Sequence, residues 1–241
     1  TGFFMRKCVF ALQSIVINNL RMCIKHSNIT QLIYGGSGVD TRYQLTVPYP
    51  PIKMNDKELY EECALPLDVI NKSKDKKKIT ESIKAKYEKI KEDRDYIRYV
   101  FLRQVNTEFG GKLGFTLDIP VHVDGLIKKH KKSSKEPSAE NIIKKIKMVE
   151  DLTLSLSYLL MNEEWERDGE RIPEHMYAAT RSMRISIRYE LRPLVLSTLS
   201  INQIRVISEE IKVKFVNSLI DYGVVAGVLA AQIIVAPISQ Y

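Results

Sequence analysis

Hydrophobic positions along this chain recur mostly at three- and four-residue spacing, which predicts a mainly helical fold. The clearest stripe is Ile142, Ile146, Val149, Leu152, Leu156, Leu159 and Leu160. It follows Pro137-Ser138 and predicts a helix to about Asn162 with Ser138 as N-cap. A second stripe, Ile204, Ile207, Ile211, Phe215 and Leu219, is opened by the capping-box pattern Ser200-Ile-Asn-Gln203 and closed by Gly223. A charge-laced helix is expected from about Thr80 to Phe109, with Tyr87, Ile90, Tyr96 or Ile97, Val100 and Phe101 inward and Gly110, Gly111 and Gly114 as stop signals. Phe3, Phe4, Lys7, Phe10, Ala11, Ser14 and Ile15 predict a helix over residues 1–18. Residues 174–199 read as helix bent or split at Pro193, and 55–71 as helix interrupted by Pro66.

Short extended pieces separate these helices. Residues 29–34 alternate and are β-rich, and they end at the turn Gly35-Gly-Ser-Gly38. Pro48, Pro50 and Pro51 keep 41–54 extended, Leu117–Val123 reads as extended and leads to a basic turn of helix, and Glu163–Pro173 reads as a polar loop. Strands and helices do not alternate, so a doubly wound sheet is not expected; the expected fold class is mainly α with short β elements (α+β).

The last stretch stands apart. Residues 223–238 are apolar and rich in glycine and alanine, but sixteen residues fall short of the ~20 that cross a membrane, and Gln232 and Pro237 interrupt them. The expectation is a segment buried and closely packed in protein. The start at Thr1 and the apolar end lead to the expectation of a piece of a longer polypeptide, and the first residues lack a signal-peptide pattern.

Charge and candidate chemistry sharpen this only modestly. The net charge of +8 is concentrated in two runs, Lys72, Lys74, Lys76, Lys77, Lys78 and Lys128, Lys129, Lys131, Lys132, Lys135. They fit polyanion contact or simply solvated helix ends; the lack of interleaved aromatic residues favours the latter. Cys8, Cys23 and Cys63 form no Cys-x-x-Cys pair, so neither a disulfide framework nor a zinc site is expected, and a reducing compartment fits. His26, His122, His130 and His175 are scattered. Asp93 and Asp95 stand two apart, a spacing that does not converge on a helix. Gly35–Gly38 lacks the Lys-Ser/Thr of a phosphate loop. No self-contained active site and no metal site is expected.

Three landmarks carry a resemblance. Thr1-Gly-Phe-Phe-Met-Arg-Lys7 with Ala11-Leu12 resembles the end of the bridge helix in the largest subunit of multisubunit DNA-directed RNA polymerases. Ile29 to Asp40, with Tyr34, Gly35, Gly38 and Asp40, is similar to the Tyr-Gly motif that follows it there. Gly223, Gly227, Ala230, Ala231 and Gln232 resemble the start of the trigger loop. Between them, Asp93–Arg98 and Ile119–Val121 keep the family's order. The compressed middle resembles the viral type found in large cytoplasmic DNA viruses, African swine fever virus among them.

The resemblance implies a fragment organised as a bridge-helix end and Tyr-Gly region (1–54), a helical foot-like region (55–200), and a cleft-like helix with the start of the trigger loop (201–241). It implies nucleotidyl transfer by the full subunit, with Mg2+ held by aspartates outside this chain. It also implies roles for single residues: Gln240 at the nucleotide ribose, Gly223 and Gly227 as hinge, Thr1, Gly2, Arg6 and Lys7 at the DNA backbone, and Tyr34, Gly35, Gly38 and Asp40 as a structural turn. Partners would be other polymerase subunits, DNA template, RNA product and nucleoside triphosphates, with no membrane. The location would be host cytoplasm and virion if viral, otherwise nucleus or cytosol. This chain departs from the family at Gly36 and Ser37, where an acidic pair is usual, and at Ile233, Val235, Ala236 and Ser239. The other reading is a non-enzymatic, basic helical module that binds nucleic acid or protein.

Overall fold

The computed structural model describes residues 2–71, 75–102, 115–131, 137–160 and 172–240. Its helices are α1 (Gly2–Leu12), α2 (Asp56–Cys63), α3 (Leu67–Asn71), α4 (Lys76–Ile97), α5 (Val123–His130), α6 (Ile142–Leu160), α7 (Glu174–Ala179), α8 (Arg181–Glu190), α9 (Pro193–Thr198), α10 (Ile201–Asn217) and α11 (Ala226–Gln240). The strands are β1 (Ile15–Ile17), β2 (Cys23–Lys25), β3 (Asn28–Gln31), β4 (Leu45–Pro48) and β5 (Thr116–Ile119). Strands β1, β2 and β3 form an antiparallel meander, and β4 pairs antiparallel with β5. The fold is mainly α with short β elements, as the periodicity predicts.

The chain divides into two units. One comprises residues 1–43, 157–180 and 216–241; the other comprises 44–156 and 181–215. Residues 1–43 and 216–241 thus fall in the same unit.

In the larger unit the predicted stripes are the core. Ile142, Ile146, Val149, Leu152 and Leu156 of α6 are buried, as are Ile204, Ile207, Ile211 and Phe215 of α10 and Tyr87, Ile90 and Ile97 of α4. Ile97 rather than Tyr96 faces inward. The capping box at the start of α10 forms: Gln203 N donates to Ser200 Oγ at 3.2 Å and Ser200 N to Gln203 Oε1 at 2.8 Å. A second capping box, Asn55 with Glu58, opens α2.

Several expectations are corrected. The first helix stops at Leu12, because the β-branched run Ile15-Val16-Ile17 pairs with Cys23–Lys25 instead of extending it. The return is made by Asn18, whose Oδ1 accepts from Leu20 N and Met22 N. Ser138 does not cap α6, which begins at Ile142; its Oγ accepts from Glu140 N in a preceding turn. Residues 50–53 form a 3-10 turn led by Pro50, within the stretch read as extended. The 174–199 stretch splits at Pro193 as expected and also at Thr180, whose buried hydroxyl bonds Ser157 Oγ at 2.8 Å. Gly223 does not terminate α10, which ends at Asn217; Leu219 continues the helical spacing but lies in an extended bridge to Val39. Helix α4 passes into a π turn at Arg98–Leu102; the expected continuation to Phe109, the stop glycines, Asn162, Glu163–Arg171, Thr1 and Tyr241 lie outside the described residues.

Candidate functional site

The three landmarks, far apart in sequence, meet in the smaller unit. The segment leading into α11 is hydrogen-bonded on two sides. On one side Gly223 N donates to Ile17 O at 2.7 Å and Ile17 N to Val224 O at 3.0 Å. On the other, Asp40 N donates to Ser218 O at 2.9 Å and Ile220 N to Gly38 O at 3.0 Å. Side chains follow the backbone: Ile17, Cys23, Ile220 and Ala226 form a buried cluster, with Ile15, Tyr34 and Val224 packed against it. The strand after α1, the Tyr-Gly motif and the approach to α11 thus share one small core.

Each motif residue has a local reason. Gly35, Gly36 and Gly38 carry φ of +58°, +76° and +71°, the left-handed region that glycine enters without a Cβ penalty. At Gly38 a Cβ would also lie 2.9 Å from Leu160 Cδ1, so that position is fixed twice. Asp40 is buried and bonded three times by Arg42, from N at 2.9 Å, Nε at 2.9 Å and Nη2 at 2.6 Å. Those hydrogen bonds outweigh the cost of burial and hold the Asp40 carboxyl below its ordinary pKa. A lowered folded-state value means the stabilisation is present above the unfolded value of about 3.9 and is lost as pH falls through the folded one. Asp40→Asn is expected to lower the thermal midpoint at neutral pH. The two proteins should converge in acid; parallel curves down to the lowest pH would show that Asp40 is not tied to Arg42.

Gly223 and Gly227 differ. Gly223 has φ +81° with open space around it. Gly227 is helical, and a Cβ there would lie 1.8 Å from Leu12 O: α11 touches the end of α1 backbone to backbone. Close packing by small residues is therefore present, but on one side only. Ala226, Ala231 and Val235 are buried, whereas Ile233 is 73% and Ile234 50% exposed. The expectation that the whole 223–238 segment is buried is corrected: the helical period turns one stripe to α1 and leaves the rest outward. Helix α1 has no buried residue, with Phe3 and Phe10 exposed.

Arg6 and Lys7 are exposed on α1, Lys7 Nζ standing 4.4 Å over the Phe3 ring, and Gly2 has nothing packed on it. The backbone of Gln240 lies in α11. Arg6 and Lys7 take no part in the shared core. Sequence reasoning missed Ile17 and Arg42; the β-branched run at 15–17 and the Asp-x-Arg spacing at 40–42 are the available signals.

Elsewhere, chemistry is spent internally. Asp93 is bonded by Arg188 Nη1 at 3.0 and 3.1 Å, and Asp95 pairs with Arg94, so the two carboxylates do not converge. Among the described residues no group of three or more His, Cys, Asp or Glu could hold a metal ion. Lys128 pairs with Asp124, and Lys129 and His130 with Glu210. No helix among the described residues is long and apolar enough to cross a membrane.

Comparison with known proteins places the chain in a family. The family described as RNA polymerase Rpb1, domain 6, matches residues 22–218. The chain is 30% identical over 250 aligned positions to a protein named DNA-directed RNA polymerase RPB1 homolog from African swine fever virus, isolate Pig/Kenya/KEN-50/1950. It is equally similar to that of strain Badajoz 1971 Vero-adapted. All of this chain is covered in both, and it spans 16% of the length of each relative. The chain belongs to the Rpb1 family of largest RNA polymerase subunits, of the type carried by those viruses.

Proposed function

We propose that this chain is the part of a DNA-directed RNA polymerase largest subunit that joins the end of the bridge helix to the start of the trigger loop. The observation that carries this reading is the single core shared by the strand after α1, the Tyr-Gly motif and the approach to α11. A loop that must fold and unfold over a nucleotide needs a fixed root, and this core is a root of that kind. Arg6 and Lys7, exposed on α1, would contact the DNA backbone together with Thr1 and Gly2, holding register without reading bases. Gly223 would supply the turn of the hinge and Gly227 its close contact with α1. Gln240 would present an amide to the nucleotide ribose, donating to and accepting from its hydroxyls.

The full subunit would transfer nucleotides to an RNA 3′-hydroxyl. Mg2+ supplies charge stabilisation to that chemistry when bound. Its ligands would be aspartates elsewhere in the subunit, as the resemblance implies. Other polymerase subunits, template DNA and RNA product are the partners, and a viral factory in the host cytoplasm and the virion are the setting. The alternative, a free-standing basic module, is less well supported, because Lys128 and Lys129 are held by Asp124 and Glu210.

The test uses the full subunit in its assembled complex. Gln240→Ala is expected to lower the elongation rate or the preference for ribonucleotides by roughly tenfold, the worth of one to two hydrogen bonds. Wild-type rate and discrimination with assembly intact would remove Gln240 from the nucleotide site.

A further inference from the structure

Among the described residues four that are not glycine hold a left-handed backbone: Arg21, His26, Ser27 and Asn141, with φ of +59°, +47°, +73° and +55°. Three of them have a local reason. His26 and Ser27 are the two residues between β2 and β3, where a tight hairpin turn needs positive φ at both. Asn141 is of a type that enters this region readily. Arg21 has neither reason. It stands in the return from β1 to β2, with a long side chain where glycine or asparagine would fit more easily. Burial adds a second cost: it pushes the guanidinium pKa down from its ordinary value, with Asp221 opposing the shift. A residue unfavourable on two counts persists only where its surroundings fix it, and such residues gather at functional positions.

The surroundings of Arg21 are the landmarks themselves. Its N donates to Asn18 O at 3.0 Å and closes the turn, and its O accepts from Tyr34 N at 2.8 Å. Its Cδ lies 3.6 Å from where a Cβ on Gly38 would stand, so its stem runs along the Tyr-Gly motif. Its Nη1 donates to Leu160 O at 3.3 Å. Leu160 is the last residue of α6, and residues 157–160 belong to the same unit as Arg21. A cation there meets an orphan carbonyl at the negative end of the helix dipole. Asp221, whose charge acts on the guanidinium, lies between Ile220, bonded to Gly38 O, and Gly223, bonded to Ile17 O.

We propose, on the trigger-loop reading above, that Arg21 is a positioning residue: its guanidinium holds the approach to α11 against the Tyr-Gly motif and the last turn of α6, and so sets where the closing loop begins. Arg21 acts through the shared core. Its charge and its reach matter, and its backbone preference works against it.

The test uses the full subunit in its assembled complex and compares Arg21→Asn with Arg21→Lys. Asparagine suits the left-handed backbone but carries no charge, whereas lysine keeps a cationic donor on the same unfavourable backbone. Arg21→Asn is expected to match or exceed Arg21→Lys in thermal midpoint. In single-nucleotide addition the order is expected to reverse. Arg21→Asn should lose roughly 10-fold in kcat with the nucleotide KM within about twofold of wild type, and Arg21→Lys should recover to within about threefold. A residue that acts only through folding cannot give opposite orders, so losses that follow the thermal midpoint overturn the proposal. Elongation by Arg21→Asn at the wild-type rate, or by Arg21→Lys no faster than by Arg21→Asn, also overturns it. Gly227→Ala is measured beside them. Slow elongation in Gly227→Ala with wild-type elongation in Arg21→Asn removes only the role of Arg21; wild-type elongation in both removes the trigger-loop root as well.

Discussion

Glu150→Ala is expected to destabilise the chain by about 3–5 kcal/mol, the cost of leaving a buried charge without its partner. The Lys86 side chain is 0% exposed, and its Nζ donates to Glu150 Oε1 at 2.5 Å. Lys89 reaches Oε2 at 2.9 Å, and Arg188, itself bound to Asp93, lies 3.9 Å away. Burial pushes the Lys86 ammonium down from its ordinary value, and Glu150 is what opposes that. Without the carboxylate the ammonium must lose its proton or draw in water. At about 2–4 °C per kcal/mol for a chain of this size, the thermal midpoint should fall by roughly 10 °C. The double variant Lys86→Met/Glu150→Leu should recover most of the loss, because it removes both charges together. The pH dependence has a definite sign. Burial works against the Glu150 carboxylate, but Lys86 and Lys89 outweigh it and hold its pKa at about 2. The contribution is complete above the unfolded value of about 4.3 and is lost as pH falls toward about 2, so wild type and Glu150→Ala should converge there. A midpoint unmoved by Glu150→Ala at neutral pH would show that Lys86 is not held charged by this pair.

None of that network is legible in the sequence. Lys86 and Glu150 are 64 residues apart and Asp93 and Arg188 are 95 apart, and nothing local marks them as partners. What is legible is whatever repeats over several turns. The stripes of α6 and α10 are long enough that only one face can be buried, so tertiary context has no freedom to overrule them. The three-residue strands fail for the opposite reason. Ile15 satisfies helical spacing and a β-branched run equally well, and only its pairing with Lys25 decides. Leu219 misleads in the same way: it keeps the period of α10, yet it is buried as an extended residue bridged to Val39. The motif glycines were recognisable as special positions, but not which kind of special. Positive φ at Gly38 and Gly223 and backbone contact at Gly227 leave the same letter in the sequence.

That distinction sets the second large effect. Gly227→Ala is expected to slow elongation by the assembled polymerase by roughly 10- to 100-fold, the range that follows from misplacing a functional element by about 1 Å. A Cβ at Gly227 lies 1.8 Å from Leu12 O and 2.7 Å from Leu12 C, and both are backbone atoms that cannot swing aside. Either α11 moves away from α1 or the last turn of α1 opens, at an overpacking cost of about 1–3 kcal/mol. Gly223→Ala makes the contrast. Its Cβ meets open space, so the penalty is only the left-handed backbone at φ +81°, about 1–2 kcal/mol, and the hydrogen bond of Gly223 N to Ile17 O can survive. If the α1–α11 contact is what fixes the root of the trigger loop, Gly227→Ala should impair elongation far more than Gly223→Ala at a similar loss of stability. Equal losses would mean that the two glycines act only through folding. A Gly227→Ala enzyme that elongates at the wild-type rate would show that the helix can leave α1 without consequence for nucleotide addition.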